Sequence, residues 1–222
     1  MGVGAAGILA RRFGDGGPPK GRLVLRHRGA AGHFYGAYAV RGMELYLQGV
    51  AADSCFTAAY GGKLVVVPDG ADTSLTVVGN TFAYGARAGR AFIAGRGGNR
   101  FGICLRRSHE GDGPRVVVEG VEANAFQYMT GGVALVLGPV GFNLGAGLTG
   151  GRVYLLDPDG SRLNRQYVKM EPLDEAGAAE VLELLREHAS ETASRGAERL
   201  LRAFDPLRFS RVTTALVPEP IE

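Results

Sequence analysis

The sequence predicts an all-β protein, a single-stranded right-handed parallel β-helix (a β-solenoid) with coils of about 20 residues and a C-terminal α-helical appendage. Three observations support this fold class: a high glycine content, an internal repeat, and short aliphatic runs separated by glycine-dense corners. Glycine accounts for 36 of the 222 residues, about twice the usual share of ~7%. The backbone must therefore need glycine at many positions.

The internal repeat relates the segment that begins at Val78 to the segment that begins at Val140. The two align without gaps over 15 residues, up to Phe92 and Tyr154. A repeated unit of this kind is the sequence signature of a stacked architecture. The identical pairs are Val78 with Val140, Gly79 with Gly141, Gly85 with Gly147, Gly89 with Gly151, and Arg90 with Arg152.

Short runs rich in valine and leucine follow the glycine pairs Gly61-Gly62, Gly131-Gly132 and Gly150-Gly151. Runs of this length and composition, bounded by Gly, Pro or Asp, favour strands over helices. A coil of such strands returns the chain one strand spacing, ~4.8 Å, higher without a crossover helix. An antiparallel sandwich or barrel is the alternative, disfavoured because Asn-Gly and Asp-Gly hairpin signals are few.

The repeat glycines are the structural site residues that the sequence predicts. We expect them to adopt positive φ or to let neighbouring coils approach closely. They are Gly61, Gly62, Gly79, Gly85, Gly89, Gly131, Gly132, Gly141, Gly147, Gly150 and Gly151.

The pattern becomes helical after residue 173, which predicts a β-helix domain over residues 1–173 and helices with an extended tail over 174–222, packed on the β-helix. Asp174 is a suitable N-cap for a helix whose apolar face contains Val181, Leu182, Leu184 and Leu185. A second helix is expected to begin near Ser194 and to end before Asp205-Pro206. The tail from Leu207 to Glu222 is expected to be extended.

Several functions are disfavoured by the residues present. The net charge of +3 comes from scattered arginines, whereas a nucleic-acid surface concentrates them. Cys55 and Cys104 are too few and too far apart for a disulfide framework or a cluster site. No apolar run is long enough to cross a membrane, so a cytoplasmic protein is expected. The histidines are isolated, without metal-ligand spacing: His27, His33, His109 and His188.

A family resemblance rests on the motifs Tyr128-Met129-Thr130-Gly131-Gly132 and Gly141-Phe142-Asn143-Leu144-Gly145-Ala146-Gly147. With Arg28-Gly29-Ala30-Ala31-Gly32 and Met170-Glu171-Pro172-Leu173, they resemble the GXGXG-motif β-helix domain at the C-terminus of the glutamate synthase large (alpha) subunit. The similarity extends over nearly the whole chain.

The resemblance implies a non-catalytic scaffold subunit of a glutamate-synthase-like complex, for glutamate biosynthesis or a related N-methylglutamate-type reaction. The expected partners are a glutamine amidotransferase subunit and an FMN-binding synthase subunit, and the chain is expected to be capable of forming a homo-oligomer. FMN and the iron–sulfur cluster are expected in the partner and not in this chain. Gly2 stands where an amidotransferase would need its N-terminal cysteine, so no catalytic residue, metal ligand or activity of the isolated chain is expected.

Two other functional classes remain as alternatives. The first is a β-helix subunit similar to the one in formylmethanofuran dehydrogenase. The second is a free-standing enzyme acting on polysaccharide, which would need carboxylates stacked on successive coils. Asp53, Glu119, Glu122 and Asp157 do not share a repeat position, which disfavours the enzyme.

Overall fold

The computed structural model describes residues 2–14, 16–108 and 111–216, which form three α-helices and ten strands. Within them, no helix combines the length and the apolar character that crossing a bilayer requires. The helices are α1 (Val3–Phe13), α2 (Glu175–Thr192) and α3 (Arg195–Arg202). The strands are β1 (Leu23–Ala31), β2 (Met43–Ala51), β3 (Tyr60–Val67), β4 (Thr76–Val78), β5 (Ala88–Gly97), β6 (Arg115–Val121), β7 (Thr130–Val136), β8 (Gly150–Leu156), β9 (Val168–Pro172) and β10 (Phe209–Thr214).

The main sheet is a stack of parallel strands, in the order β1-β2-β3-β5-β6-β7-β8. Its coils make a β-solenoid of about seven turns, which confirms the predicted fold class. The coil length varies from 18 residues, between the register partners Arg115 and Val133, to 27 residues, between Lys63 and Arg90. The 27-residue coil holds β4.

The corners of the coils share one backbone pattern. In each corner, three alternating residues have positive φ, as Ser54, Phe56 and Ala58 do in corner 53–58, and most of these residues are not glycine. Because the sign of φ alternates, successive N–H groups point toward the next coil and the preceding coil in turn. Ser54 and Ala58 donate to carbonyl oxygens of the next coil, and Phe56 donates to one of the preceding coil, each at 2.8 Å. The pattern recurs in corners 33–38, 80–85, 99–104, 123–128 and 142–147.

Aromatic rings stack inside the corners. The centroids of Phe56 and Phe82 are 6.4 Å apart, those of Phe82 and Phe101 4.5 Å, and those of Phe101 and Phe126 5.9 Å. All four rings are buried. A Cβ at Gly102 would lie 2.7 Å from the Phe126 ring, so a glycine here makes room for the aromatic side chain of the next coil.

Asparagine side chains form a short polar ladder beside the corners. The amide nitrogens of Asn143 and Asn164 each donate to the side-chain oxygen of the asparagine one coil earlier, at 2.8 Å and 2.7 Å. Asparagine tolerates positive φ better than most residues, and its side chain can repeat the coil spacing. A residue that fits the corner backbone thus also fits the stack.

The outer face of the strands is buried too, because α2 covers it. Leu64 and Val66 point into the solenoid core, whereas Val65 between them joins a second cluster with Val181 and Leu184 of α2. Burial on both faces explains why the strands read as continuous aliphatic runs instead of alternating ones. Asp174 and Ser194 cap α2 and α3 through side-chain oxygens that accept N–H bonds from Gly177 and Ala197, respectively.

Four ion pairs fasten α2 across the coils. A cation stands at equivalent positions of β3, β5, β6 and β8, since Lys63, Arg90 and Arg115 are consecutive register partners. The glutamates that pair with these cations span eleven residues of α2, a rise of about 16 Å. This length is close to the ~19 Å that separates β3 from β8 over four strand spacings. The pairs are Lys63 with Glu191 (2.6 Å), Arg90 with Glu187 (2.5 Å), Arg115 with Glu183 (2.9 Å) and Arg152 with Glu180 (2.6 Å).

Each end of the solenoid carries an element whose packing was not predicted. The N-terminal segment forms α1, which was not predicted; its Ala6 is buried and its Leu9 packs against the core. The predicted extended tail forms β10, which inserts antiparallel between β8 and β9. The last part of the predicted tail, residues 217–222, lies outside the described residues.

The predicted glycines occupy three kinds of position. At Gly62, Gly89, Gly132 and Gly151, φ lies between 78° and 104°, and a Cβ would lie within 3 Å of a carbonyl oxygen of the neighbouring coil. At Gly61, Gly79, Gly131, Gly141 and Gly150 a Cβ would meet backbone atoms of the preceding coil at 2.3–2.8 Å. Gly85 and Gly147 are equivalent corner residues with φ of 66° and 71°.

Three substitutions separate these reasons for glycine. Gly141→Ala should lower the free energy of unfolding by about 1–3 kcal/mol, because its Cβ would meet the Ala123 nitrogen at 2.4 Å. Gly85→Ala has open space around the new Cβ and should cost only the ~1–2 kcal/mol of positive φ. Gly111→Ala, with open space and no positive φ, should stay within about 0.5 kcal/mol of wild type. Urea denaturation measures all three; equal losses at Gly141 and Gly111 would contradict the close-approach argument.

Candidate subunit interface

One lateral edge of the solenoid carries exposed tyrosines on alternate corners. Tyr38, Tyr84 and Tyr128 lie in corners 33–38, 80–85 and 123–128, and are 53%, 46% and 59% exposed. Alternate coils are about 9.6 Å apart. We call these three residues the tyrosine edge. Two further exposed aromatic side chains, Phe34 and Phe142, lie in the first and last of the six corners.

The repeat position of Tyr38 and Tyr128 carries small residues in the other corners. Backbone hydrogen bonds join it coil to coil, and it contains Tyr38, Ala58, Gly85, Cys104, Tyr128 and Gly147. Tyr84 lies one residue before this position, next to Gly85. The ring of Tyr128 lies over Gly147, where an added Cβ would be 2.5 Å from it. The edge therefore combines exposed aromatic rings with small residues.

Two of the three tyrosines have a conformationally costly backbone. Tyr38 and Tyr128 have φ of 61° and 52°, a region that costs a non-glycine residue about 1–2 kcal/mol. Glycine holds the same position at Gly85 and Gly147 without that cost. Since the two tyrosine rings remain about half exposed, burial within the chain offsets little of the strain. Tyrosine is enriched at the energetic centres of protein interfaces, so this edge has the character of a binding surface.

The outer face contains a buried polar cluster of Glu119, His188 and Ser194. Oε1 of Glu119 accepts from Nε2 of His188 at 3.2 Å and from Oγ of Ser194 at 2.5 Å. Burial would raise the pKa of Glu119, but the bonds from His188 and Ser194 hold it below the usual range. Nδ1 of His188 is buried without a hydrogen-bond partner.

The cluster is arranged for anchoring and not for nucleophilic catalysis. A serine nucleophile needs a base that contacts its hydroxyl and is itself oriented by a third group. Here both His188 and Ser194 bond to the carboxylate, and the Ser194 oxygen also caps α3 by accepting from Ala197 at 3.2 Å. The cluster thus fixes the α2–α3 turn on β6, which carries Glu119.

The other residues singled out in the sequence are dispersed. Cys55 is buried, Cys104 is partly exposed on the tyrosine edge, and both are free thiols. His27 bonds the hydroxyl of Tyr35 at 2.8 Å, and His109 lies outside the described residues. Among the residues that the structure describes, no three potential His, Cys, Asp or Glu ligands lie close enough to hold a metal ion.

Comparison with known proteins identifies the family. A family model described as the GXGXG motif matches residues 1–215. The chain belongs to the GXGXG motif family. Members of this family include the C-terminal region of glutamate synthase large subunits, which is the segment matched in the relatives.

The relatives are much longer proteins. The chain is 37% identical over 213 residues to the ferredoxin-dependent glutamate synthase of Pyropia yezoensis, covering 92% of this chain and 13% of that protein. It is 36% identical over 202 residues to the glutamate synthase (NADPH) large chain of Bacillus subtilis, covering 87% of this chain and 13% of the relative. The chain thus spans about an eighth of the length of these relatives, and the match supports a glutamate-synthase-related role.

The Glu119 cluster predicts an acid-sensitive contribution to stability. Because the folded pKa of Glu119 is below its ordinary value of 4.5, its stabilisation is present above about pH 4.5 and is lost as the pH falls through the folded pKa. Glu119→Gln keeps the shape but removes the proton uptake, so the free energy of unfolding should be lower at pH 7 and depend less on pH below 4.5.

The matched control for this variant is Glu175→Gln, an exposed position at the start of α2. Chemical denaturation of both variants at a series of pH values provides the measurement. A Glu119→Gln curve parallel to that of wild type through the acid range would disprove the assignment.

Proposed function

We propose that this chain is a non-catalytic scaffold subunit of a glutamate-synthase-like complex. It would hold a glutamine amidotransferase subunit and an FMN-binding synthase subunit, for glutamate biosynthesis or a related N-methylglutamate-type reaction. FMN and the iron–sulfur cluster would reside in the synthase subunit. The predicted cytoplasmic location and the capacity to form a homo-oligomer remain predictions.

The observation that carries the proposal is the coverage of the match. Nearly the whole chain aligns with a segment that makes up only 13% of the Pyropia relative, so this solenoid corresponds to one structural part of a larger assembly. Because the relatives found are glutamate synthases, they favour this complex over the formylmethanofuran dehydrogenase alternative.

The geometry supports a bracing role. A stack of short parallel coils is rigid along its axis, and α2 ties five neighbouring strands together through the four ion pairs and the outer apolar cluster. The tyrosine edge supplies three exposed aromatic rings on this rigid support. We propose it as the surface that contacts the partner subunits.

Removing the tyrosine edge tests the interface. The triple variant Tyr38→Ser/Tyr84→Ser/Tyr128→Ser should keep its thermal midpoint near that of wild type, because the rings are about half exposed. In the native host it should no longer co-purify with amidotransferase and FMN-type subunits, as identified by mass spectrometry.

The control variant Ile8→Ser/Leu75→Ser/Leu207→Ser removes three exposed aliphatic side chains away from the edge, which are 68%, 52% and 89% exposed. It should retain both subunits. Equal recovery of the subunits by the edge variant and wild type would exclude the tyrosine edge as the surface that contacts them. Recovery of neither subunit by wild type would exclude the scaffold function.

The location of the cofactors gives a separate prediction. The purified chain should be colourless, without the visible absorption of a flavin or an iron–sulfur cluster. It should also lack glutaminase and synthase activity, because an iron–sulfur cluster needs several thiolate ligands and an amidotransferase needs a reactive thiol. Absorption spectroscopy and activity assays on the isolated chain are the measurements. A flavin bound in stoichiometric amount would contradict the proposal.

A further inference from the structure

A cleft of about 570 Å³ opens where β2, β3, β5 and β6 begin, beside the C-terminal half of α2. This volume falls within the range of small-molecule sites. Six glycines line it, and five of them belong to the stacked backbone that forms the coils. The six are Gly16, Gly42, Gly61, Gly62, Gly89 and Gly113.

The side chains lining the cleft are strongly cationic. Lys63, Arg90 and Arg115 line it from three neighbouring strands, and as register partners their Cα atoms lie about 5 Å apart from one strand to the next. Arg41 and Arg87 line it from the ends of two corners. Five cationic side chains thus line one cleft.

The carboxylates nearby pair with three of these five cations and leave Arg41 and Arg87. Glu44 also lines the cleft, but it already contacts Arg22 at 3.0 Å and Lys63 at 3.6 Å and accepts from Tyr46. The glutamates of α2 pair with Lys63, Arg90 and Arg115. No carboxylate of the described chain lies within ion-pair distance of Arg41 or Arg87.

The guanidinium groups in the cleft also retain donors. Arg41 uses Nε to donate to the carbonyl of Gly16 at 2.6 Å. Arg87 lies over the ring of Tyr60 at 5.9 Å, and its guanidinium forms no hydrogen bond or ion pair with another described residue. Arg115 is paired with Glu183 at 2.9 Å and its Nε is buried, so the donors that an anion in the cleft would meet are those of Arg41 and Arg87.

We propose that this cleft binds a small multivalent oxyanion, a molecule with two or more carboxylate or phosphate groups. Arg41 and Arg87 would each take one anionic group, because arginine binds both carboxylates and phosphates through paired N–H donors. Lys63, Arg90 and Arg115 would contribute less, because each is already paired with a glutamate of α2. The glycines leave the bottom of the cleft open, so the anion approaches the backbone without side-chain obstruction. This proposal does not depend on the scaffold function.

Isothermal titration calorimetry on the full chain at low salt tests the proposal, with citrate as the polycarboxylate probe, pyrophosphate as the phosphate probe and acetate as the monoanion control. Saturable one-to-one binding of citrate or pyrophosphate, with none for acetate, is expected. Stronger binding of one probe than the other identifies which of the two chemistries the cleft prefers.

The variant Arg41→Gln/Arg87→Gln should weaken that binding at least ten-fold while retaining the thermal midpoint of wild type. The control Arg100→Gln/Arg165→Gln makes the same change in net charge at two exposed arginines that do not line the cleft, and should bind as wild type does. The proposal is overturned if neither probe shows saturable binding, or if the two variants weaken it equally.

Discussion

The hydrogen bonding between corners is the constraint on which the rest of this structure depends. A solenoid has no helix or hairpin to satisfy the backbone where the chain turns, so each corner must direct its N–H and C=O groups at the coils above and below. Alternating positive φ achieves this, as in corner 53–58, where successive donors reach opposite neighbours at 2.8 Å. Each non-glycine residue in this region costs about 1–2 kcal/mol, which the inter-coil bonds and the stacked phenylalanines offset.

Much of the fold could be predicted from the sequence because its signals are local. The aliphatic runs, the glycine pairs and the caps Asp174 and Ser194 each determine structure within a few residues. By contrast, α1 carries glycines that weaken helix propensity, and it is stabilised by packing at the end of the solenoid, where Ala6 is buried. The insertion of β10 between β8 and β9 depends on contacts distant in sequence, which no local pattern encodes.

The candidate sites were harder to predict than the fold. Arg90 and Arg152 are identical in the repeat alignment, but their pairing with Glu187 and Glu180 appears only once α2 lies antiparallel to the stacking direction. The arginines interpreted as scattered are therefore partly a ladder. The tyrosine edge was missed because Tyr38, Tyr84 and Tyr128 are 46 and 44 residues apart, and the sequence alone does not mark them as corner residues of alternate coils. A search for aromatic residues at corner positions, after the coils had been aligned, could have found it.

Elements of the chain itself cover the ends and the outer face of the solenoid, so fewer surfaces remain for a binding partner. The helix α1 packs at one end, β9 and β10 extend the sheet at the other, and α2 covers the outer face. Corners remain exposed, and there the chain keeps tyrosine at positions where glycine is conformationally cheaper. The strain at Tyr38 and Tyr128 supports the proposal that this edge binds a partner. A rigid stack also holds the rings at fixed spacing, so little side-chain and backbone entropy would be lost when a partner binds. The rigid positive-φ corners are thus costly in conformational energy for the free chain, but they would favour the binding of a partner subunit to the tyrosine edge.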